Sequence, residues 1–281
     1  MMFDIRLPQP NDTFQWVQVA SRHALVCQAL RPFAIHLMTT REWALGGRPG
    51  ADENHAWTEV EHAMGSALVR VRQVHGADVL VLRRDDELPT TWGPVADIVL
   101  SNNPGVAVAI QTADCVPLLI ADRRTGSVAA AHAGWRGLAA GVPGVTVEAM
   151  TRAFSSVPAD LIVAAGPSIG ACCYEVGPDV RERFTRAGWP EAALERWFAN
   201  YARPTPANPS MPGLRAPRPG HPYFDAALST RDQLEAAGVP AGQIFLADLC
   251  TASHPGALCS YRRDGTNAGR MAATIRARIV A

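Results

Sequence analysis

The chain has 281 residues, of which 48% are hydrophobic and 19% are charged, and 26 Lys and Arg balance 26 Asp and Glu. This balance is that of an ordinary globular protein and excludes a generally disordered chain. It also gives no net field that would draw the protein to nucleic acid or to anionic lipid, so we expect neither as a partner.

The N-terminus and the cysteines favour a cytoplasmic protein. Residues 1–16 lack the basic start and apolar stretch of a secretory signal, and no run of about 18 apolar residues occurs that would predict a spanning helix. We therefore expect the six cysteines to be free thiols or metal ligands in a reducing compartment. The adjacent Cys172 and Cys173 are most simply small buried hydrophobes.

Runs of alanine and β-branched residues between glycine-marked turns predict strands. These lie at 67–74, 77–82, 105–111, 116–121, 127–132, 160–166, 243–247 and 258–263. The helical pattern predicts helices at 138–154, 178–188, 190–202, 224–237 and 268–279. Because paired strands come first and strands alternating with helices follow, the order predicts an α+β fold, a layered sandwich with mixed sheets.

The segment 203–222 is rich in proline, with seven prolines in its twenty residues. Proline fixes φ and lacks a hydrogen-bond donor, so this segment is predicted to be an extended, irregular connection. A boundary between two domains is one interpretation. We favour a surface loop within a single domain that spans residues 1–281, because the residues after it resemble the closing elements of the same core.

Three residues far apart in sequence have the chemistry of a metal site. His75, Cys115 and His132 supply two imidazoles and one thiolate, which zinc favours, and three protein ligands leave a fourth position open for water or substrate. The sequence alone also permits a buried Cys115 and an exposed His75 without any metal. If the site exists, Asp78 is the expected partner that orients the His75 ring.

Other polar residues are candidates for an anion pocket and for proton transfer. Arg136 and Arg262 each occur in a turn before a predicted helix and are expected to grip a phosphate or carboxylate. Ion pairs with nearby acids, such as Asp264 for Arg262, are the alternative. Glu175 is a candidate general acid or base if it is partly buried, and a solvated glutamate is equally compatible with the sequence.

Several motifs together resemble one known family. They are VHGADV, TADCVPLLIAD, AAHAGWRGL, GPSIGACCYEVG, DLCT and SYRRDG followed by GRMA. In this order they resemble the YfiH-like family, whose members have been called multicopper polyphenol oxidoreductase, peptidoglycan editing factor and purine nucleoside phosphorylase. The resemblance covers about residues 66–280 and is weaker before them.

The resemblance implies a zinc-binding set of His75, Cys115 and His132. It also implies a layered α/β sandwich similar to bacterial deamidase toxins, so Cys115 and His132 remain candidates for a cysteine–histidine catalytic pair. In the N-terminal part, Arg41 is the residue that matches the family's Thr-Arg-x-Gly-Gly-like loop, which implies a ligand role for it. The loop itself departs from the family pattern.

The implied activity is zinc-dependent phosphorolysis of adenosine, inosine, guanosine or methylthioadenosine, with deamination of adenosine. The partners would be a nucleoside and phosphate, in a monomer or small homo-oligomer. The alternatives are a hydrolase that edits cell-wall precursors, a copper-dependent phenol oxidase and a catalytically silent binding protein. Copper binds tightly to many zinc sites, so copper in a preparation would not by itself establish the oxidase.

Overall fold

The computed structural model describes residues 5–47, 53–89, 93–211 and 216–278. The strands are β1 (Phe14–Val19), β2 (Arg22–Cys27), β3 (Ala34–Thr39), β4 (Ala67–Arg70), β5 (Val79–Leu82), β6 (Ile98–Ser101), β7 (Val106–Thr112), β8 (Val116–Asp122), β9 (Val128–Ala133), β10 (Leu161–Ala165), β11 (Phe198–Ala199), β12 (Tyr223–Phe224), β13 (Ile244–Leu246) and β14 (Met271–Ala277). The helices are α1 (Glu53–Met64), α2 (Trp135–Ala139), α3 (Val142–Phe154), α4 (Pro178–Arg186), α5 (Glu191–Trp197), α6 (Ala226–Ala236) and α7 (Tyr261–Asp264).

Two six-stranded mixed sheets contain most of the strands. The first sheet has the order β1-β2-β3-β14-β7-β4, and among its described strand pairs only β4–β7 is parallel. The second sheet has the order β13-β10-β8-β9-β6-β5, with parallel pairs at its two edges. Strands β11 and β12 form a separate small pair.

The alternation of side chains between two apolar clusters along the central strands shows how the sheets are layered. On β8, Leu119 and Ala121 belong to the apolar core that also contains inward residues of the first sheet, while Leu118 and Ile120 belong to the core under the helices. Neighbouring side chains on a strand point to opposite faces, so β8 is covered on both sides. The two sheets therefore pack face to face, and α2 to α6 cover the outer face of the second sheet.

The outer face of the first sheet is covered by α1. Trp57 and Val60 of this helix pack with Trp43, Leu45 and small residues of the sheet in a third apolar cluster. The result is a four-layer arrangement of helix, sheet, sheet and helices, which confirms the predicted layered α+β sandwich with mixed sheets. None of the helices within the described ranges combines the length and apolar character needed to cross a membrane.

Two of the predicted elements have the wrong secondary structure. The predicted helix at 268–279 contains β14, which lies between β3 and β7 in the first sheet. The predicted strand at 258–263 ends instead in α7, because the Ser260 side chain accepts the Arg263 backbone N–H and caps a helix that begins at Tyr261.

Other differences concern boundaries and omissions. The predicted helix at 138–154 is two helices, α2 and α3, separated at Gly141, whose φ is 80°. Strands β1 to β3, β6 and helix α1 lie outside the predicted elements. The described parts of the proline-rich segment are irregular, as predicted.

Candidate functional site

Two connections and the end of one strand bring the predicted metal ligands together. His75 lies between β4 and β5, and His132 lies near the end of β9. Cys115 lies in the turn that carries the chain from β7 in the first sheet to β8 in the second. The Thr112 hydroxyl donates to the Cys115 carbonyl at 2.5 Å and closes this turn.

The three side chains converge on one point. The ligand atoms that His75, Cys115 and His132 offer all lie within 4.8 Å of one another. The two imidazole rings are 4.8 Å apart between centroids and meet at 75°. Two ring nitrogens and one sulfur at this spacing match the donor set and the size of a three-ligand metal centre.

Gly134 keeps the space between these ligands open. A Cβ at this position would lie 2.8 Å from the His75 Cδ2 and 2.9 Å from the Cys115 Sγ. Both distances are below any ordinary contact, so a side chain there would displace the ligands. The space, the donor atoms and their spacing together fit a single metal ion.

One buried carboxylate positions both histidines. Asp97 accepts a 2.8 Å hydrogen bond from the His132 Nδ1 and also accepts the backbone N–H groups of Val74, His75 and Gly76 at 3.1, 3.0 and 2.7 Å. Burial alone would raise the pKa of Asp97, but these hydrogen bonds hold it below its usual range. Because the carboxylate occupies Nδ1 of His132, the other ring nitrogen, Nε2, is the one available to a metal ion.

The neighbouring charges also shift the pKa values of the Cys115 thiol and the His132 imidazole. Burial alone would raise the pKa of Cys115, but the charges and hydrogen bonds of His132 and His75 lower it to about 6. For His132, burial opposes protonation, and the charges of Cys115 and Asp97 with their hydrogen bonds raise the pKa to about 9. These interactions favour the thiolate over the thiol, and the thiolate is the form that binds metal or attacks an electrophile.

The three residues lie at the wall of a cleft of about 630 Å³. Its aromatic side chains are Trp135, Tyr174 and Tyr261, and its cationic side chains are Arg72, Arg136, Arg262 and Arg270. Pockets that bind small molecules combine apolar walls with a few polar groups in this way. Two of the predicted anion-binding residues, Arg136 and Arg262, therefore line the same cleft as the candidate metal ligands.

The two arginines are held differently. Arg262 Nη1 donates to the Glu175 carbonyl at 2.6 Å, and its guanidinium lies 5.2 Å from the centre of the Tyr174 ring. Arg136 lies 4.3 Å from the centre of the Trp135 ring. Among the residues that the structure describes, none forms a hydrogen bond or an ion pair with the Arg136 guanidinium, and the residue lines the cleft.

Two predicted site residues lie elsewhere. The Arg41 guanidinium donates to the Pro255 carbonyl and does not line the cleft. Glu175 contributes only its carbonyl next to the cleft, because its carboxylate accepts hydrogen bonds from the Arg218 backbone N–H and guanidinium at 2.7 and 3.3 Å. Although burial alone would raise the pKa of Glu175, its contacts with Arg218 hold it below the usual range, which does not suit a general acid.

The sequence prediction also chose the wrong orienting acid. The Asp78 side chain makes no described contact with His75, and the residue that holds both histidines is instead Asp97. The sequence feature that points to Asp97 is the position of this acid directly before the buried apolar run of β6. Asp114, a second missed residue, accepts the Thr251 hydroxyl and the Arg262 backbone N–H, each at 2.6 Å, and burial raises its pKa.

Comparison with known proteins identifies relatives over most of the chain. A family model described as multi-copper polyphenol oxidoreductase laccase matches residues 51–278. Purine nucleoside phosphorylase YfiH from Escherichia coli K12 is 33% identical over 267 residues, covering 93% of this chain and 96% of that protein. Adenosine deaminase RL5 from an unknown prokaryotic organism is 33% identical over 211 residues, covering 72% of each chain.

The solved structures include one with the same arrangement over nearly the whole chain. The crystal structure of YlmD from Geobacillus stearothermophilus has a TM-score of 0.77 and 31% sequence identity to this chain. The match covers 95% of this chain and 99% of that one. The four-layer sandwich described above is therefore shared with an experimentally determined protein.

Proposed function

Since this chain belongs to the YfiH-like family, described as multi-copper polyphenol oxidoreductase laccase, we propose that it is a zinc-dependent purine nucleoside phosphorylase. Its substrates would be adenosine, inosine, guanosine or methylthioadenosine, with inorganic phosphate. The observation that carries the proposal is the convergence of His75, Cys115 and His132 in a cleft that is also lined by Arg136. The name of the Escherichia coli relative supplies the reaction class.

His75, Cys115 and His132 would hold the zinc ion, and Asp97 would orient His132 and the loop that carries His75. When bound, the ion supplies a fixed positive charge and Lewis acidity at this wall of the cleft. The chain's own contribution is a rigid ligand set, because the buried Asp97 carboxylate anchors three consecutive N–H groups. Gly134 contributes by leaving the space next to the ligands free of side-chain atoms.

Arg136 is the proposed phosphate ligand. In phosphorolysis a phosphate oxygen attacks C1′ of the ribose as the bond to the purine nitrogen breaks, so positive charge develops on the sugar and the phosphate must be held beside it. A guanidinium with free donors binds two phosphate oxygens in parallel. Arg262 is a less mobile cation of the same cleft, because the Glu175 carbonyl and the Tyr174 ring fix it.

The aromatic side chains of the cleft are suited to a purine base. Trp135, Tyr174 and Tyr261 offer flat apolar surface beside the polar wall, and a purine stacks on such surfaces with little regard to its substituents. Such stacking is consistent with the proposal that the protein accepts several purine nucleosides rather than a single one. The base would lie against these rings, with the ribose between them and the arginines.

The direct test is an assay of zinc-reconstituted protein with inosine and phosphate. We expect equal amounts of hypoxanthine and ribose 1-phosphate, with no base released when phosphate is omitted. Cys115→Ala should lose the zinc ion held in the cleft and turnover together, while Cys27→Ala, which changes a buried thiol of β2, should retain both. If no base is released and a cell-wall precursor carrying serine is cleaved instead, the editing-hydrolase interpretation replaces this one.

Arg136→Ala tests the phosphate subsite. The KM for phosphate should rise about tenfold to a hundredfold, which corresponds to the 1.5–3 kcal/mol typical of a hydrogen bond to a charged group. Arg152→Ala, at an exposed position of α3, is the matched control and should leave this KM unchanged. An unchanged phosphate KM in Arg136→Ala would remove this residue from the site.

Deamination of adenosine is a second activity that we propose for the same cleft, because one relative is named adenosine deaminase. The reaction needs water but no phosphate. Arg136→Ala should therefore reduce phosphorolysis while ammonia release from adenosine persists. Equal loss of both reactions would indicate that Arg136 binds the nucleoside.

Copper-dependent phenol oxidation is the activity that the family description names. Among the residues that the structure describes, two groups could hold a metal ion, and the second contains only cysteines. Multicopper oxidation needs several coppers and more histidine ligands than the group of His75, Cys115 and His132 supplies. Oxidation of a phenol by copper-loaded protein, at a rate above that of free copper, would favour that activity over the one proposed.

A further inference from the structure

A second cluster of metal-binding side chains lies outside the cleft. Cys172 and Cys173 follow β10, and Cys250 follows β13. All three are free thiols with at most 1% of their surface exposed, and their sulfurs lie within 4.8 Å of one another. Nothing in the proposed nucleoside chemistry uses these residues.

A fourth donor completes the cluster. The Ser253 Oγ lies 3.6 Å from both the Cys172 and the Cys173 sulfurs. In a tetrahedral zinc site with Zn–S near 2.3 Å and Zn–O of about 2.0–2.2 Å, the sulfur–oxygen edge is about 3.5–3.7 Å. The hydroxyl also donates to the Pro209 carbonyl at 2.5 Å, so its proton points away and its lone pairs face the sulfurs.

Backbone N–H groups donate hydrogen bonds to two of the three sulfurs. Gly170 N–H donates to Cys250 Sγ, and Met211 N–H donates to Cys173 Sγ, each at 3.2 Å. Hydrogen bonds of this kind stabilise the charged form of a thiolate and orient it as a ligand. A purely apolar core of small residues would need neither these donors nor a hydroxyl that joins two sulfurs.

We propose that Cys172, Cys173, Cys250 and Ser253 hold a structural zinc ion, separate from the metal centre in the cleft. Binding would release the protons of the three thiols to solvent, and the neutral serine hydroxyl would complete the coordination. Four protein ligands leave no position for substrate, so this ion would be structural rather than catalytic.

The position of the cluster indicates what the ion would stabilise. It joins three irregular stretches: the loop after β10, the proline-rich segment at Pro209 and Met211, and the loop after β13. Tyr174, which lines the cleft, comes directly after Cys173. The ion would therefore hold one wall of the cleft in place through the backbone.

The test is the zinc content of folded variants. Wild-type protein, dialysed against metal-free buffer after zinc loading, should retain two zinc ions per chain. Cys115→Ala and Cys250→Ala should each retain one, and Cys27→Ala, the matched buried-thiol control, should retain two. Cys250→Ala should also unfold at a lower temperature, with circular dichroism confirming the native fold at the start.

Cobalt substitution keeps the test decisive if Cys250→Ala does not fold. In Cys115→Ala, cobalt can occupy only the second site, and the proposal requires an intense sulfur-to-cobalt charge-transfer band with tetrahedral d–d absorption. A wild-type chain that holds a single zinc ion, all of it lost in Cys115→Ala, would overturn the proposal. So would occupancy by copper(I) alone, or the absence of the cobalt band.

Discussion

Asp97 holds two of the proposed metal ligands in position. Its carboxylate joins the ring of His132 to the backbone of Val74, His75 and Gly76 and is fully buried. A single residue thus connects β9 to the loop between β4 and β5. Acids in this position usually contribute strongly to metal affinity, because they fix the tautomer and the direction of a ligating imidazole.

We predict that Asp97→Asn lowers zinc affinity by about tenfold to a hundredfold. Asparagine has nearly the same shape but lacks the negative charge and offers one oxygen instead of two. The measurement is a competition titration against a chelator of known affinity, with Asp78→Asn as the control. Unchanged zinc affinity in Asp97→Asn would contradict the role assigned to this carboxylate.

Gly134→Ala is predicted to weaken metal binding without unfolding the chain. The φ of Gly134 is −73°, which alanine adopts without strain, so the cost arises from the new Cβ at 2.8 Å from His75 and 2.9 Å from Cys115. Zinc content and melting temperature should be measured together. The matched control is Gly144→Ala in α3, where the added Cβ meets nothing within 4 Å and should be neutral or stabilising.

If Gly134→Ala keeps full zinc occupancy, the open space beside the ligands is not required for binding. If both glycine variants lose stability to the same extent, the effect belongs to the helices rather than to the site. Only a selective loss of zinc in Gly134→Ala supports the argument from geometry.

At the residue scale, the sequence identified the three candidate ligands but not the residue that holds them in position. His75, Cys115 and His132 have donor atoms that mark them as candidates wherever they occur. Asp97 has an ordinary side chain whose importance depends on hydrogen bonds to residues more than twenty positions away. Arg41 was assigned from a local resemblance, and the fold instead directs its side chain to the Pro255 carbonyl.

Among the secondary-structure elements, β3 carries a titratable group that couples stability to pH. His36 Nε2 accepts the Cys27 backbone N–H of the neighbouring strand at 2.9 Å, which requires a neutral ring. Burial and, to a lesser extent, the charges of Arg31 and Arg278 lower the pKa of His36 to about 4. The buried ring therefore resists the protonation that an exposed histidine undergoes near pH 6.5.

We predict that the protein loses stability as the pH falls from about 6.5 to about 4 because of this residue. In that window the unfolded chain binds a proton at His36 that the folded chain does not, so the free energy of unfolding decreases as the pH is lowered. The full contribution is about 3 kcal/mol, from the difference between the two pKa values. Denaturant titrations of His36→Gln across this range should show a correspondingly smaller decrease.

His62→Gln, at an exposed position of α1, is the control for that experiment. It should follow the wild-type pH dependence throughout. A His36→Gln curve parallel to the wild-type curve would show that other groups cause the acid sensitivity.

Strand β14 shows why some elements could not be predicted locally. Its sequence, MAATIRA, contains residues that favour helices, and the local pattern predicts a helix over 268–279. In the folded chain this segment pairs with β3 on one side and β7 on the other. Long-range pairing overrides local preference there, whereas β7, β8 and β9 were predictable because their apolar runs are buried on both faces.

Over the whole molecule, the two sheets share one core that draws on both halves of the sequence. Strands β7 and β14 contribute Val108 and Ile275 to the same apolar cluster as Leu119 of β8 and Ala130 of β9. The turn that carries Cys115 crosses between the sheets at the edge of this core. The single domain over 1–281 remains a prediction, and it implies one cooperative unfolding transition.

The proline-rich segment provides the sharpest test of that prediction, because a linker between domains would not be anchored. Asn208 within it is buried, donates to the Asp248 carbonyl at 2.8 Å and accepts the Cys250 N–H at 2.7 Å.

Asn208→Ala would leave both backbone groups without these partners, which costs on the order of 1–3 kcal/mol. In a single domain this cost lowers the melting temperature of the entire molecule, so calorimetry, tryptophan fluorescence and far-ultraviolet circular dichroism should shift together. Asn200→Ala, at an exposed position, should shift none of them, and a separate low-temperature transition in Asn208→Ala would show instead that the segment joins independently folding units.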